Sequence, residues 1–65
     1  METYQQRVVD EKEALDDKLG KLLEFQDSGK FRALSVDKRK LLNRQEVVME
    51  LYSDILAERI ALFLA

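Results

Sequence analysis

The sequence contains no cysteine, histidine, proline or tryptophan, and only two glycines. Without cysteine no disulfide framework can form, and without cysteine and histidine the usual structural zinc sites are excluded. The same absences, together with the lack of a glycine-rich phosphate loop, remove most catalytic nucleophiles and general bases. We therefore expect no enzyme, no catalytic residue, no cofactor and no metal site.

Long hydrophobic runs are also lacking. The longest, Ile60–Ala65, is far shorter than the ~20 residues that span a bilayer, and residues 1–10 do not resemble a signal peptide. These features predict a cytoplasmic protein that has no contact with a membrane. Because a core built from so few residues seldom supplies more than about 3–5 kcal/mol, we expect association with another chain to reinforce the fold.

The residues that are present favour helices. Charged residues make up 37% of the chain and hydrophobic residues 46%, a composition typical of helical or coiled-coil proteins and not of disordered ones. Thr3 and Gln6 have the spacing of a capping box, which predicts a helix over about residues 4–26. Apolar residues recur every seven positions along it, as in an amphipathic helix: Val8, Leu15 and Leu22.

Turn-forming residues begin at Asp27, and the connection should run over about residues 27–35. Within it, Phe31 and Leu34 have the spacing of one short helical turn. Ser35 can cap a second helix over about residues 36–63. Two apolar columns, one residue apart, run along that helix: Leu41, Val48, Ile55 and Leu62, and beside them Leu42, Met49, Leu56 and Phe63.

Two long helices joined by a short connection predict an all-α, antiparallel two-helix hairpin that forms one domain over residues 1–65. The second helix carries more apolar surface than the first can cover, and such surfaces mark sites of association. We therefore expect a homodimer in which two hairpins form a four-helix bundle. The predicted oligomer interface consists of Leu42, Met49, Leu56, Ile60 and Phe63.

Two charged residues interrupt the apolar columns. Lys12 stands between Val8 and Leu15, and Arg59 stands four residues after Ile55. A polar residue at a core position can fix register or oligomeric state, but a long side chain can also pack its stem and extend its charge to water. Both readings stay open here. Tyr52 is predicted to be a core residue with its hydroxyl at the edge.

Charge is unevenly distributed along the chain. Residues 1–27 have a net charge of −4, residues 28–45 of +5 and residues 46–65 of −3. The predicted partner-binding residues are the cations of the central segment: Lys30, Arg32, Lys38, Arg39, Lys40 and Arg44. They can bind an acidic protein surface or phosphates, although a solvated basic turn that balances acidic helices would give the same pattern.

Two segments carry a resemblance to a known family. Residues 4–12, YQQRVVDEK, and residues 54–63, DILAERIALF, resemble the small helical open-reading-frame proteins of the exo-xis region of lambdoid bacteriophages. The resemblance covers residues 1–63 and leaves open whether Leu64 and Ala65 are native. It implies a protein of the infected or lysogenic host cell that influences lysogenic versus lytic development, and it assigns no site residues.

Three functions are compatible with these patterns. The leading interpretation is a non-enzymatic protein that binds a host or phage regulatory protein. The alternative is binding of nucleic acid or nucleotide phosphate through the basic turn, which the acidic net charge of −2 and the lack of a long basic stripe disfavour. The third is a purely structural oligomerisation element.

Overall fold

The computed structural model describes residues 3–64 and arranges them as three helices in series. α1 spans Thr3–Gln26, α2 is the short helix Gly29–Arg32, and α3 spans Val36–Leu64. The prediction of an all-α hairpin is therefore confirmed. α1 begins one residue before its predicted start, and α3 ends one residue beyond its predicted end.

The two long helices run antiparallel along the whole molecule. At the end of the hairpin opposite the connection, which we call the open end, the rings of Tyr4 and Phe63 meet edge to face with centroids 5.6 Å apart. Further along, Lys12 Nζ donates to Ser53 Oγ at 2.8 Å. The Cα atoms fill 45 × 14 × 14 Å, and because 29 helical residues rise about 44 Å, α3 alone accounts for the length.

The contact between α1 and α3, which we call the seam, repeats every seven residues. Val8 on α1 and Leu56 on α3 are its buried apolar residues, with 5% and 0% of their surface exposed, and Ser53 is buried beside them. The rest of the seam is half-buried: Leu15, Leu19 and Leu22 on α1, and Leu42, Glu46, Met49, Ile60 and Phe63 on α3. The seven-residue spacing of Val8, Leu15 and Leu22 thus correctly predicts the face that α1 presents to α3.

The connection between the long helices is itself ordered by two serines. Ser28 Oγ donates to the Phe25 carbonyl at 2.6 Å and accepts from the Phe31 amide at 3.3 Å, so it caps α2. Ser35 Oγ accepts from the Lys38 amide at 3.3 Å, which confirms the predicted cap of α3. The short helical turn expected around Phe31 is α2.

The start of α1 differs from the predicted capping box. Thr3 already lies within the helix, and the side-chain amide of Gln6 donates to Asp10 Oδ1 at 2.9 Å, one turn further along. Because Gln6 and Asp10 are four residues apart, they are neighbours on the helix surface, and Thr3 lies inside the helix instead of before it. The capping-box interpretation of Gln6 is therefore wrong, although the helix that it predicted is present.

Candidate functional site

The six predicted partner-binding cations all lie at the turn end of the hairpin, which we call the basic end. Lys30 and Arg32 belong to α2, and the remaining four belong to the first turns of α3: Lys38, Arg39, Lys40 and Arg44. The long helices are antiparallel, so the acidic segments that flank this part of the sequence extend toward the other end of the molecule. The fold therefore concentrates positive charge at one end.

Side-chain packing fixes α2 relative to the long helices. The rings of Phe25 and Phe31 meet edge to face with centroids 6.1 Å apart, a favourable geometry for aromatic pairs. The side-chain amide of Gln26 also donates to Asn43 Oδ1 at 3.2 Å and more weakly to the Leu42 carbonyl at 3.5 Å. These contacts join the end of α1 to both α2 and α3, so the basic end is a defined surface.

No carboxylate of residues 3–64 forms an ion pair with a cation of the basic end. Both ion pairs of this range lie on α1, where Lys12 contacts Asp16 at 2.8 Å and Lys21 contacts Asp17 at 3.1 Å. The cations of the basic end are exposed, apart from the half-buried Arg39. Their charge is therefore available to an external anionic group.

The cations of α3 do not all point the same way. Successive residues of a helix are rotated by about 100°, so Lys38, Arg39 and Lys40 face three directions, whereas Lys40 and Arg44 are four residues apart and share a face. Arg39 turns toward the seam, and its Nε is buried without a hydrogen-bond partner among the described residues. The cations of the basic end therefore point in several directions, and within α3 only Lys40 and Arg44 lie together on one face.

The residues predicted to form an oligomer interface lie in the seam instead. Leu56 has no exposed surface in the single chain, Phe63 packs against Tyr4, and Leu42, Met49 and Ile60 are half-buried. A second copy would have to open the hairpin to reach Leu56. The physical reason is that α1 covers the column containing Leu42 and Leu56 and leaves the neighbouring column bare.

That neighbouring column forms an exposed apolar surface, which we call the outer stripe. Its members are Leu41, Val48, Leu51, Tyr52, Ile55 and Leu62, and each is among the exposed large hydrophobic residues of the chain. Tyr52 is predicted to be a core residue, and this prediction is wrong for the single hairpin because 42% of its surface is exposed. It lies at the border between the stripe and the seam, four residues before the buried Leu56. Arg59, which interrupts this stripe in sequence, is also exposed. The seven-residue spacing indicated the stripe but not which helix would cover it.

A polar cluster crosses the seam near the open end. Lys12 Nζ donates to Asp16 Oδ2 and to Ser53 Oγ, both at 2.8 Å, and Ser53 Oγ donates to Asp16 Oδ1 at 2.5 Å. The hydrogen bond from Lys12, and then that from Ser53, lower the pKa of Asp16. Lys12 therefore has fixed partners in the seam and does not simply extend into water.

A different carboxylate has the opposite shift. The pKa of Glu50 is raised, first by a hydrogen bond shared with Glu46 and further by the nearby charge of Asp54. The three side chains are four residues apart along α3 and share one face. Within residues 3–64 no three acidic side chains are grouped so as to hold a metal ion, and none of the described helices combines the length and apolarity needed to cross a membrane.

A family model gives the relationship of this chain to known proteins. The model is described as Sequestin, and it matches residues 2–62. The chain belongs to the Sequestin family. The Sequestin match includes every residue of the basic end and of the outer stripe, so both surfaces lie within the part of the chain that the family shares. Neither the curated proteins nor the solved structures contain a match.

Proposed function

We propose that this chain is a non-enzymatic phage interaction protein that sequesters an acidic host or phage regulatory protein at its basic end. By withholding that regulator it modulates lysogenic versus lytic development in the cytoplasm of the infected or lysogenic cell. The Sequestin family supports a binding role by its name. The resemblance to the exo-xis proteins of lambdoid phages supports the biological setting.

One observation carries the proposal. Six cations without an ion-pair partner in residues 3–64 are concentrated at one end of a chain whose net charge is −2. Lys38 and Lys40 lie in the first turns of α3, where positive charge opposes the helix dipole. Their position is therefore unfavourable for the helix alone, and an acidic partner would compensate for it.

The shape of the molecule supports binding over catalysis. A depression beside Leu23 and Glu24 and another beside Val47 and Val48 are both open to solvent. Neither resembles the enclosed pockets in which catalytic groups are shielded from water. A protein whose accessible features are an open charged end and an open apolar stripe is suited to binding other proteins.

We also place a homodimer in this function. The outer stripe leaves large apolar side chains exposed along most of α3, and one hairpin of this size has little core of its own. A dimer would cover the stripe and leave Lys30, Arg32 and Lys38 of the basic end accessible, because they precede Leu41, the first residue of the stripe.

Charge-neutralised variants in a pull-down from host lysate test the proposal. The test variant replaces three exposed cations of the basic end: Lys30→Gln, Lys38→Gln and Lys40→Gln. The matched control removes three exposed cations from α1: Arg7→Gln, Lys18→Gln and Lys21→Gln. Both variants lose the same charge, so a non-specific effect of net charge is equal in the two.

We expect the basic-end variant to lose at least about tenfold in partner capture, which corresponds to roughly 1.4 kcal/mol, while the α1 control captures normally. Helicity should be unchanged in both variants, and removing positive charge near the start of α3 should slightly stabilise its first turn. Full capture by the basic-end variant, or equal loss in both variants, would contradict the proposal and move the binding surface to a helix face.

The same free cations also suit phosphate groups, so nucleic-acid or nucleotide binding is the second candidate. Phosphate binding releases counterions and weakens steeply with salt, whereas capture of an acidic protein need not follow that slope. Titration of random-sequence DNA at several salt concentrations, with the same two variants, separates the candidates. Salt-dependent DNA binding that the basic-end variant loses, without loss of protein capture, would favour the second.

A further inference from the structure

The outer stripe is the largest set of exposed apolar side chains on one helix of the hairpin. Val48 and Leu62 at two of its positions have 65% and 77% of their surface exposed. α1 offers nothing comparable, since among its large apolar residues only Tyr4 and Leu23 are exposed. A partner that covers this surface must therefore contact α3 more than α1.

The exposed area of the chain agrees with a missing partner. A compact monomer of 7.6 kDa exposes about 4,300 Å² by the usual scaling with mass, whereas this hairpin exposes 5059 Å². The excess of about 770 Å² is close to the ~800 Å² that each partner contributes to a standard protein interface. An interface of standard size would therefore lower the exposed area per chain to that of a compact protein of this mass.

The stripe is complementary to itself when two copies of α3 run antiparallel. With a two-fold axis between Leu51 and Tyr52, Val48 lies opposite Ile55 of the second copy, and Leu41 lies opposite Leu62 of the second copy. Every apolar member then meets another apolar member in a single register. An interface that uses the same patch on both subunits is the usual arrangement of a dimer.

The edges of the stripe are compatible with this register. Arg44, Leu51 and Glu58 follow one another at intervals of seven residues and form one long edge of the stripe. In an antiparallel pair related by a two-fold axis, this edge lies against the same edge of the second copy. Arg44 then lies beside Glu58 of the second copy, twice in the dimer. A parallel pair would instead bring Glu58 beside Arg59 of the second copy, so local ion pairs do not decide the direction.

The charge of the two ends decides it. Residues 28–45 have a net charge of +5 and residues 46–65 of −3. A parallel pair places two basic ends side by side, separated by a distance similar to the Debye length of about 8 Å at physiological salt. An antiparallel pair avoids this repulsion, because in the register above residues 39–45 lie opposite residues 58–64 of the second copy, where Glu58 and Arg59 give no net charge. The helix dipoles also oppose each other favourably.

We propose that a second copy of this chain covers the outer stripe, with α3 packed antiparallel against α3 about a two-fold axis between Leu51 and Tyr52. This inference rests on the homodimer of the proposed function and specifies its interface and direction. The dimer then carries one basic end at each extremity, roughly the 45 Å length of the hairpin apart. It is bivalent, and a partner with two acidic sites would gain avidity from it.

Two adjacent valines provide a matched test of the interface. Val48 belongs to the outer stripe, whereas Val47, with a similar 61% exposure, lies about 100° further around α3. By sedimentation equilibrium we expect Val48→Glu to raise the dimer dissociation constant at least about tenfold, and Val47→Glu to change it less than about threefold. A monomeric parent protein at micromolar concentration, or equal effects of the two variants, would overturn the interface.

Disulfide trapping tests the direction without relying on destabilised variants. The chain has no cysteine, so Leu41→Cys and Leu62→Cys each introduce a single thiol. In the antiparallel pair the two copies of residue 62 are about 30 Å apart, too far for a disulfide, while residue 41 lies opposite residue 62 of the other copy. A mixture of the variants should cross-link to a mixed dimer, and each variant alone should not.

Cross-linking of each single variant with itself would establish a parallel pair and overturn the proposed direction. The pull-down separates this result from a failure of the proposed function. If Val48→Glu gives a monomer that still captures the partner through its basic end, the dimer inference stands and only bivalency is lost. If the parent protein is a monomer that captures normally, the dimer inference fails while partner binding at the basic end stands.

Discussion

The seam face and the outer stripe of α3 are nearly equivalent in sequence and differ in the structure. Both are apolar columns with a seven-residue period, offset by one residue, yet Leu56 in one column is fully buried and Ile55 in the other is exposed. The difference shows how much of the structure apolar periodicity can predict. It indicates that a helix face needs a covering partner, but it does not identify which helix provides the cover.

Polar residues distinguish the two faces better than apolar ones. Across the seam, Lys12 meets Ser53 and Gln26 meets Asn43 in one antiparallel register. Each donor therefore finds an acceptor on the other helix, as buried polar groups require. Arg59 interrupts the outer stripe, and residues 3–64 offer it no such partner. Matched polar pairs thus identify the interface that is completed within the chain.

The largest effect should come from truncating a buried residue of the seam, and an exposed residue of the outer stripe provides the comparison. Leu56→Ala removes a fully buried side chain and should cost about 2–5 kcal/mol, enough to unfold much of a protein this small. Ile55→Ala should cost less than about 1 kcal/mol in the separate hairpin, because its side chain is exposed and alanine favours helix. Urea denaturation followed by circular dichroism measures both free energies of unfolding.

Protein concentration sharpens this comparison. At concentrations where the dimer forms, the cost of Ile55→Ala should increase, since burial in the second interface is then also lost. The cost of Leu56→Ala should exceed that of Ile55→Ala at every concentration. Equal costs for the two variants in dilute solution would contradict the assignment of Leu56 to the seam, and a larger cost for Ile55→Ala would mean that the two faces are exchanged.

Most of the fold follows from local signals in the sequence. The seven-residue spacing in α1, the serine cap at Ser35 and the turn residues after Asp27 each act within a few residues, and the structure agrees with each of them. The location of the basic cations at the turn end follows from the same connection. Their availability could also be foreseen, because residues 28–45 contain only one acidic residue, Asp37.

The remaining errors concern choices that the local sequence does not make. Ile55 and Leu56 are adjacent apolar residues of α3, and only the rotation of α3 about its axis decides which of them faces α1. That rotation depends on how α2 and the polar pairs of the seam position the helix. At the start of α1, Gln6 had two possible neighbours, Thr3 and Asp10, and spacing alone could not choose between them.

A moderate effect is expected from the polar cluster of the seam. Ser53→Ala removes the acceptor of Lys12 and a donor to Asp16 at a buried position, and it should destabilise the protein by about 1–2 kcal/mol. Ser35→Ala, at the exposed cap of α3, provides a comparison with a typical cost of about 1 kcal/mol. Thermal unfolding at fixed protein concentration measures both.

A double-mutant cycle shows whether Lys12 and Ser53 interact. Lys12→Met keeps the apolar stem and removes the charge. If the hydrogen bond across the seam contributes, the double variant should lose less stability than the two single variants together, with a coupling of about 1 kcal/mol. Strict additivity would mean that Lys12 acts only through its stem, and the seam would then differ from the outer stripe in packing alone.

The smallest effects concern two carboxylates: Asp16 in the seam cluster and Glu50, an exposed residue of α3. Hydrogen bonds from Lys12 and Ser53 lower the pKa of Asp16, whereas the hydrogen bond shared with Glu46 raises the pKa of Glu50. Carbon-13 titration of the side-chain carboxyls should therefore place Asp16 below the ordinary aspartate value of about 3.9 and Glu50 above the ordinary glutamate value of about 4.3.

The two shifts act on stability in opposite directions. Folded Asp16 binds its proton more weakly than unfolded Asp16, so its contribution is present above about pH 4 and is lost as the pH falls through its lowered pKa. Folded Glu50 binds its proton more tightly, so its contribution is present below about pH 4 and is lost as the pH rises through its raised pKa. Ser53→Ala should raise the pKa of Asp16 and leave that of Glu50 unchanged, because Ser53 contacts only the first of these carboxylates. A shift of both groups in this variant would show that the seam cluster and Glu50 are coupled through α3 and do not titrate independently.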